Sequence, residues 1–160
     1  MSARIDRAGG ATPGRPDDAV ARLRRLAVRD GLALGGLYSG RRTEFELVLA
    51  TAAARFVGER AYSEAEVNAV LRDWLAAEAV MLGTDHVEVR RWLVDSGLLE
   101  RDGYGRAYWR KRPVAAGFAA ALDAIAGVDV AAVVAEARAA DRAVRAERRA
   151  RFGTGAGGAA

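Results

Sequence analysis

Residues 84–112 read TDHVEVRRWLVDSGLLERDGYGRAYWRKR, and this stretch decides the fold. Asp85, followed three residues later by Glu88, places an N-cap and a partner that can reach back at the start of a helix. Val89 and Leu93 stand one turn apart, and Trp92 widens the same apolar stripe toward a core. Gly97 supplies a left-handed residue at the helix end, and Leu98 can fold back on the last turn. Asp102, Gly103, Tyr104 and Gly105 then form a turn cluster, because glycine takes positive φ without steric cost. In the returning strand, side chains alternate with period two. The pattern predicts that Ala107 and Trp109 point toward the helix. Arg106, Tyr108 and Arg110 then form a basic, aromatic outer face, with Lys111 and Arg112 beyond it.

A helix running straight into such a hairpin is the last helix and wing of a winged helix-turn-helix. Upstream, Ser63 and Glu66 spell a capping box, with Tyr62 and Val67 placed as a hydrophobic staple. Val67, Val70, Leu71, Trp74 and Leu75 mark one buried helical face, and Gly83 punctuates its end. Before it, Phe45, Val48, Leu49, Ala52, Ala53 and Phe56 recur at helical spacing from Arg41 to Phe56, and Gly58 stops that helix. Asp17 or Asp18 after Pro16 can cap a first helix whose stripe is Val20, Leu23, Leu26 and Ala27; Asp30-Gly31 ends it. Beyond Pro113, residues 115–126 and 130–151 read as two helices separated by Gly127.

These motifs together resemble a known family. Tyr62-Ser63-Glu64, Glu66-Val67-Asn68, Leu71, Arg90-Arg91, Leu93-Val94-Asp95, Gly97-Leu98-Leu99, Arg101, Gly105 and Tyr108-Trp109-Arg110 carry the resemblance. It is to a bacterial domain-of-unknown-function family that occurs alone and fused behind ArsR-type helix-turn-helix regulators. The resemblance is strong over residues 56–112 and fainter over 19–55. In that fainter part a proline-lysine pair usually follows the DGLAL segment, whereas this chain has Leu37-Tyr38-Ser39-Gly40.

The expected architecture is mainly α with a small antiparallel β-hairpin: a winged-helix-like domain over 16–112 plus C-terminal helices over 113–152. Residues 1–15 and 153–160, small and glycine-rich, are expected to be disordered ends. With no cysteine in the chain, disulfides, thiolate metal sites and cysteine nucleophiles are excluded. One histidine, His86, is too few for a metal cluster. Ser63 serves as a cap rather than a nucleophile, and no catalytic signature or cofactor motif stands out. The N-terminus lacks the apolar run of a secretory signal. The least charged run, 114–135, carries Asp123 and Asp129, each costing roughly 2.5–3.5 kcal/mol at a bilayer centre. The expectation is a cytoplasmic protein without membrane, metal, cofactor or catalysis.

Charge decides the partner. The chain is net +4, and the excess is local. Residues 1–29 hold seven Arg against three Asp, and residues 98–112 hold five basic against two acidic side chains. Residues 136–151 hold six Arg against three acids, while the helix at 84–97 has two Arg against three acids. A polyanion complements such surfaces. The candidate nucleic-acid-binding residues are Arg90, Arg91, Arg101, Arg106, Tyr108, Arg110, Lys111 and Arg112. The hairpin cations would hold phosphate, and Arg91 could read a base edge in double-stranded DNA. Against this, Glu88 and Asp95 lie one turn to either side of Arg91 and can neutralise it. The arginines of 138–149 read as a solvated helix face. Trp74, Trp92 and Trp109 read as core residues. The alternative function is a protein-interaction or dimerisation module that does not bind DNA, a homodimer being one such partner.

Overall fold

The computed structural model describes residues 15–113 and 115–153; both expected disordered ends lie almost wholly outside these residues. The described chain is mainly helical with one small antiparallel sheet. Its order is α1 (Pro16–Ala27), α2 (Leu34–Gly40), α3 (Arg42–Ala53), β1 (Ala61–Tyr62), α4 (Glu64–Ala77), α5 (His86–Asp95), β2 (Leu99–Arg101), β3 (Tyr108–Arg110), α6 (Ala116–Ile125) and α7 (Val130–Gly153).

The helix signals act largely as the spacing predicts. Ser63 Oγ accepts from the Glu66 amide at 3.1 Å, and the Glu66 carboxylate accepts from the Ser63 amide at 2.7 Å. That closes the capping box of α4, with Tyr62 and Val67 both buried beside it. Asp85 accepts from the Glu88 amide at 2.9 Å and caps α5. Glu88 does not reach back, however; its carboxylate takes bonds from the Thr84 hydroxyl and, at 3.4 Å, from Trp92 Nε1. Gly97 has φ +73°, and the Leu98 amide bonds to the Leu93 carbonyl at 2.9 Å, burying Leu98 at the helix end. At α1 the cap differs from expectation. Arg15 is the N-cap without any side-chain bond, Pro16 opens the helix, and Asp17 and Asp18 stand in its first turn. A proline at that position loses no needed amide, and acids there complement the positive helix end.

Two elements were not legible. Helix α2 contains Gly35, Gly36 and Gly40, residues of low helix propensity, yet Leu34 and Leu37 are buried and pin it to α3. Strand β1 is only two residues long, too short to show a period. It pairs antiparallel with β3, matching Ala61 to Trp109 and Tyr62 to Tyr108. Strand β2 takes the other edge of β3, so the sheet order is β1-β3-β2.

One core gathers Phe45, Val48, Leu49, Phe56, Tyr62, Val67, Leu71, Trp74, Val89, Leu93, Leu98 and Tyr108 from α3, α4, α5 and the sheet. Trp74 is fully buried and donates its indole N–H to Thr51 Oγ1 at 3.0 Å, so its polar atom is satisfied in the interior. A second cluster joins Ala19, Leu23 and Ala27 of α1 to Ile125 of α6 and Val130 and Val134 of α7. The C-terminal helices thus close over α1 and α3. Helix α6 comes so near α3 that a Cβ at Gly117 would collide with the Glu46 carboxylate. Among the described residues no single helix is long and apolar enough to cross a membrane.

Candidate functional site

The candidate cations divide into two groups once the sheet is in place. The alternation of the returning strand is real, but the packed face is the opposite one. Tyr108 is only 2% exposed, whereas Trp109 is half-buried at the surface. The reason is β1. Its Tyr62 stands opposite Tyr108, stacks edge-on against Phe56 at 5.1 Å, and accepts the Val57 amide on its hydroxyl at 2.8 Å. That row draws Tyr108 inward. Trp109 then falls on the outer face beside Glu100, to which its indole N–H donates at 3.3 Å. Trp92 is likewise half-buried, packed between Tyr38 and Phe45 at ring separations of 5.1 Å. Neither tryptophan is the fully buried core residue its stripe suggested.

Arg90, with a side chain 16% exposed, is a clamp. It reaches from α5 to Glu64 at 3.0 Å and Asn68 at 2.6 Å on α4, and its guanidinium stands 5.9 Å from the Tyr108 ring centre. Arg110 continues the inward row and donates to the Phe56 carbonyl at 3.2 Å. Lys111 lies 3.8 Å from Glu100 across the hairpin. These side chains tie elements together.

The others reach solvent, Arg101 from the sheet face that it shares with its register partner Tyr108. Arg91, Arg101, Arg106 and Arg112 are exposed, and none has a carboxylate within ion-pair distance among the described residues. Glu88 and Asp95 therefore do not hold Arg91 in a local pair. Arg106 sits at the hairpin tip, its guanidinium 5.7 Å from the ring centre of Tyr104, which is 86% exposed. The tip itself is a fixed loop. Asp102 Oδ1 accepts from the amides of Arg106 at 2.7 Å and Ala107 at 3.3 Å, and the Gly105 amide bonds to the Asp102 carbonyl at 3.1 Å. Gly105 takes φ +66° there, a conformation that side-chain-bearing residues rarely adopt. The Arg106 amide, with those of its neighbours, holds the Asp102 carboxyl below the usual aspartate range.

His86 lies at the start of α5, with Nε2 3.4 Å from an Arg72 guanidinium nitrogen. No group of three or more metal-ligating side chains occurs among the described residues. The carboxylate of Glu78, at the end of α4, is buried. Burial pushes its pKa up against the opposing pull of Arg55, 2.8 Å away.

The structure thus defines a helical protein with a three-stranded antiparallel sheet, whose outer hairpin presents arginines without ion pairs among the described residues. A family model described as "Uncharacterized protein conserved in bacteria (DUF2087)" matches residues 38–110. The match runs from the end of α2 through β3, so it contains Arg90, Arg91, Arg101, Arg106, Tyr108 and Arg110. It leaves Lys111, Arg112, α1, α6 and α7 outside. No curated protein and no solved structure matches the chain.

Proposed function

We propose that the protein binds double-stranded DNA as a small transcriptional-regulator-like protein, with the β2–β3 hairpin on phosphate and α5 near the groove. In this reading α3-β1-α4-α5-β2-β3 is a winged helix, since that succession and the β1-β3-β2 sheet order are what a winged helix requires. The observation that carries the proposal is the set Arg101, Arg106 and Arg112, exposed and without a carboxylate partner among the described residues, on a hairpin whose tip is fixed by Asp102. Phosphate contact needs positive charge held at reach, and a preorganised loop reduces what binding must order. Arg91 is the base-reading candidate, because it is the exposed cation on α5 without an ion pair among the described residues. Of the remaining candidates, Arg90, Tyr108 and Arg110 support the hairpin from behind, while Lys111 pairs with Glu100 on its exposed face. The protein would act in the cytoplasm, without catalysis, metal or cofactor.

Fluorescence anisotropy with a labelled duplex tests this. Replacing Arg101, Arg106 and Arg112 together with alanine should weaken binding almost equally for all sequences. The slope of log affinity against log salt should fall by roughly 0.9 for each phosphate that the hairpin no longer neutralises. Arg91→Ala should cost roughly 1–3 kcal/mol at preferred sites only. A folded wild-type chain that binds no duplex at low salt overturns the proposal.

A specific observation favours a second reading. The outward face of α5 presents Glu88, Arg91 and Asp95, more carboxylate than cation, which repels phosphate. A protein partner or a second copy of the chain suits that face. A homodimer by size-exclusion chromatography, together with no duplex affinity, would select this reading.

A further inference from the structure

We infer that the distal part of α7, residues 142–153, is a second nucleic-acid contact, an arm that grips phosphate independently of the hairpin. The inference rests on the DNA-binding reading above and extends it to a surface outside the matched family segment. The inner part of α7 packs on α1 through Val130, Val134 and Ala137. Continued at the same alternating steps of four and three, that stripe runs into Asp141, Val144 and Arg148. The stripe that is apolar over α1 thus gives way to charged and exposed residues where α1 has ended, with Arg142, Arg145 and Arg149 on the side beside it. Arg138 marks the boundary, donating to the carbonyls of Ala27 and Arg29 at 2.8 and 3.2 Å and pairing with Asp30 at 3.1 Å.

Every residue from 142 to 153 is exposed; Arg142 and Arg145 border a hollow with Val28 and Asp30, and beyond them the helix runs on for about 12 Å at roughly 1.5 Å per residue. Residues 142–153 carry five arginines against one glutamate. Helix-end electrostatics explains little of this. The favourable effect of cations is confined to the last turn, which holds only Arg151 among the basic residues. Local pairing accounts for Arg145, 2.7 Å from Asp141. Arg142, Arg148 and Arg149 have no carboxylate within ion-pair distance among the described residues. Like charges at helical spacing oppose the helix that carries them. A polyanion removes that repulsion. Phe152, 82% exposed at the tip, adds an aromatic face.

The test compares three proteins by salt-dependent anisotropy on the same labelled duplex: wild type, the hairpin triple variant, and Arg142→Ala/Arg148→Ala/Arg149→Ala. Alanine keeps helix propensity, and circular dichroism checks that the helix persists. The arm variant should lower the salt slope by roughly 0.9 for each phosphate it ceases to neutralise, a fall separate from that of the hairpin variant. Replacing the same three residues with lysine should restore the wild-type slope. An arm variant with unchanged affinity and slope, beside a weakened hairpin variant, overturns the arm and leaves the proposed function standing. A wild type that binds no duplex removes both. Arm-dependent binding to anionic phosphatidylserine vesicles without duplex binding also overturns the inference, assigning the arm to a lipid surface.

Discussion

The corner where α4 meets α5 and the tip of the hairpin use the same residue types to opposite ends. At the corner, Arg90 is drawn in among Glu64, Asn68 and the Tyr108 ring, and the arginine joins two helices to the sheet. At the tip, Arg106 points outward, and the loop beneath it is held by backbone bonds to Asp102. Two adjacent residues show the contrast at its shortest: Arg90 is clamped and Arg91 is exposed. Charge alone therefore does not mark a binding site. The proposed contact rests instead on charge without a carboxylate partner among the described residues, on a loop whose backbone Asp102 holds.

The comparison breaks most visibly behind the corner. Trp74→Ala should destabilise the protein by about 3–5 kcal/mol in chemical denaturation, because it empties a fully buried site and removes the donor to Thr51 Oγ1, whose own bond to the Val48 carbonyl remains. A loss below about 1 kcal/mol would mean the core around α4 collapses freely into the gap. Arg90→Ala should cost about 1–3 kcal/mol, since Asn68 loses its donor in a half-buried setting. If its stability matched wild type, the clamp would be an ordinary surface pair. Ser63→Ala should cost about 0.5–2 kcal/mol by removing the acceptor for the Glu66 amide.

Acid should act on both regions with one sign. The Glu88 amide holds Asp85 below its ordinary value of 3.8, and the Arg106 amide does the same for Asp102. A carboxylate whose folded value is depressed contributes stability above its unfolded value and loses it as pH falls through the folded one. Denaturation curves at about pH 5 and about pH 3 should therefore show a loss on acidification, smaller in Asp102→Asn. Glu78 carries the opposite sign: its value is raised above 4.5 by burial, so its contribution diminishes as pH rises through the raised value. A wild-type acid limb that Asp102→Asn leaves unchanged would show that the tip does not depend on that carboxylate's charge. Smallest of all, Arg106→Ala should change stability by less than about 0.5 kcal/mol, while weakening any duplex binding. A large stability loss there would erase the distinction between corner and tip.

The local frame was legible from the chain. The Ser63–Glu66 box, the Asp85 cap, the Gly97 stop and the apolar stripes of α3 and α4 each lie within a few turns of chain, where a residue and its partner are fixed in register by helix geometry. The excess of cations in the hairpin was legible for a related reason, as a property of composition. Whatever required a distant partner waited for the fold. Helix α2 forms despite its glycines because Leu34 and Leu37 find α3. Strand β1, invisible at two residues, chooses which face of β3 turns inward, and so buries Tyr108 and exposes part of Trp109. Arg90 and Arg91 are neighbours in the chain and equal in chemistry. Asn68, 22 residues earlier in the sequence, helps separate a strut from an outward cation, because pairing in three dimensions depends on which surfaces the core brings together.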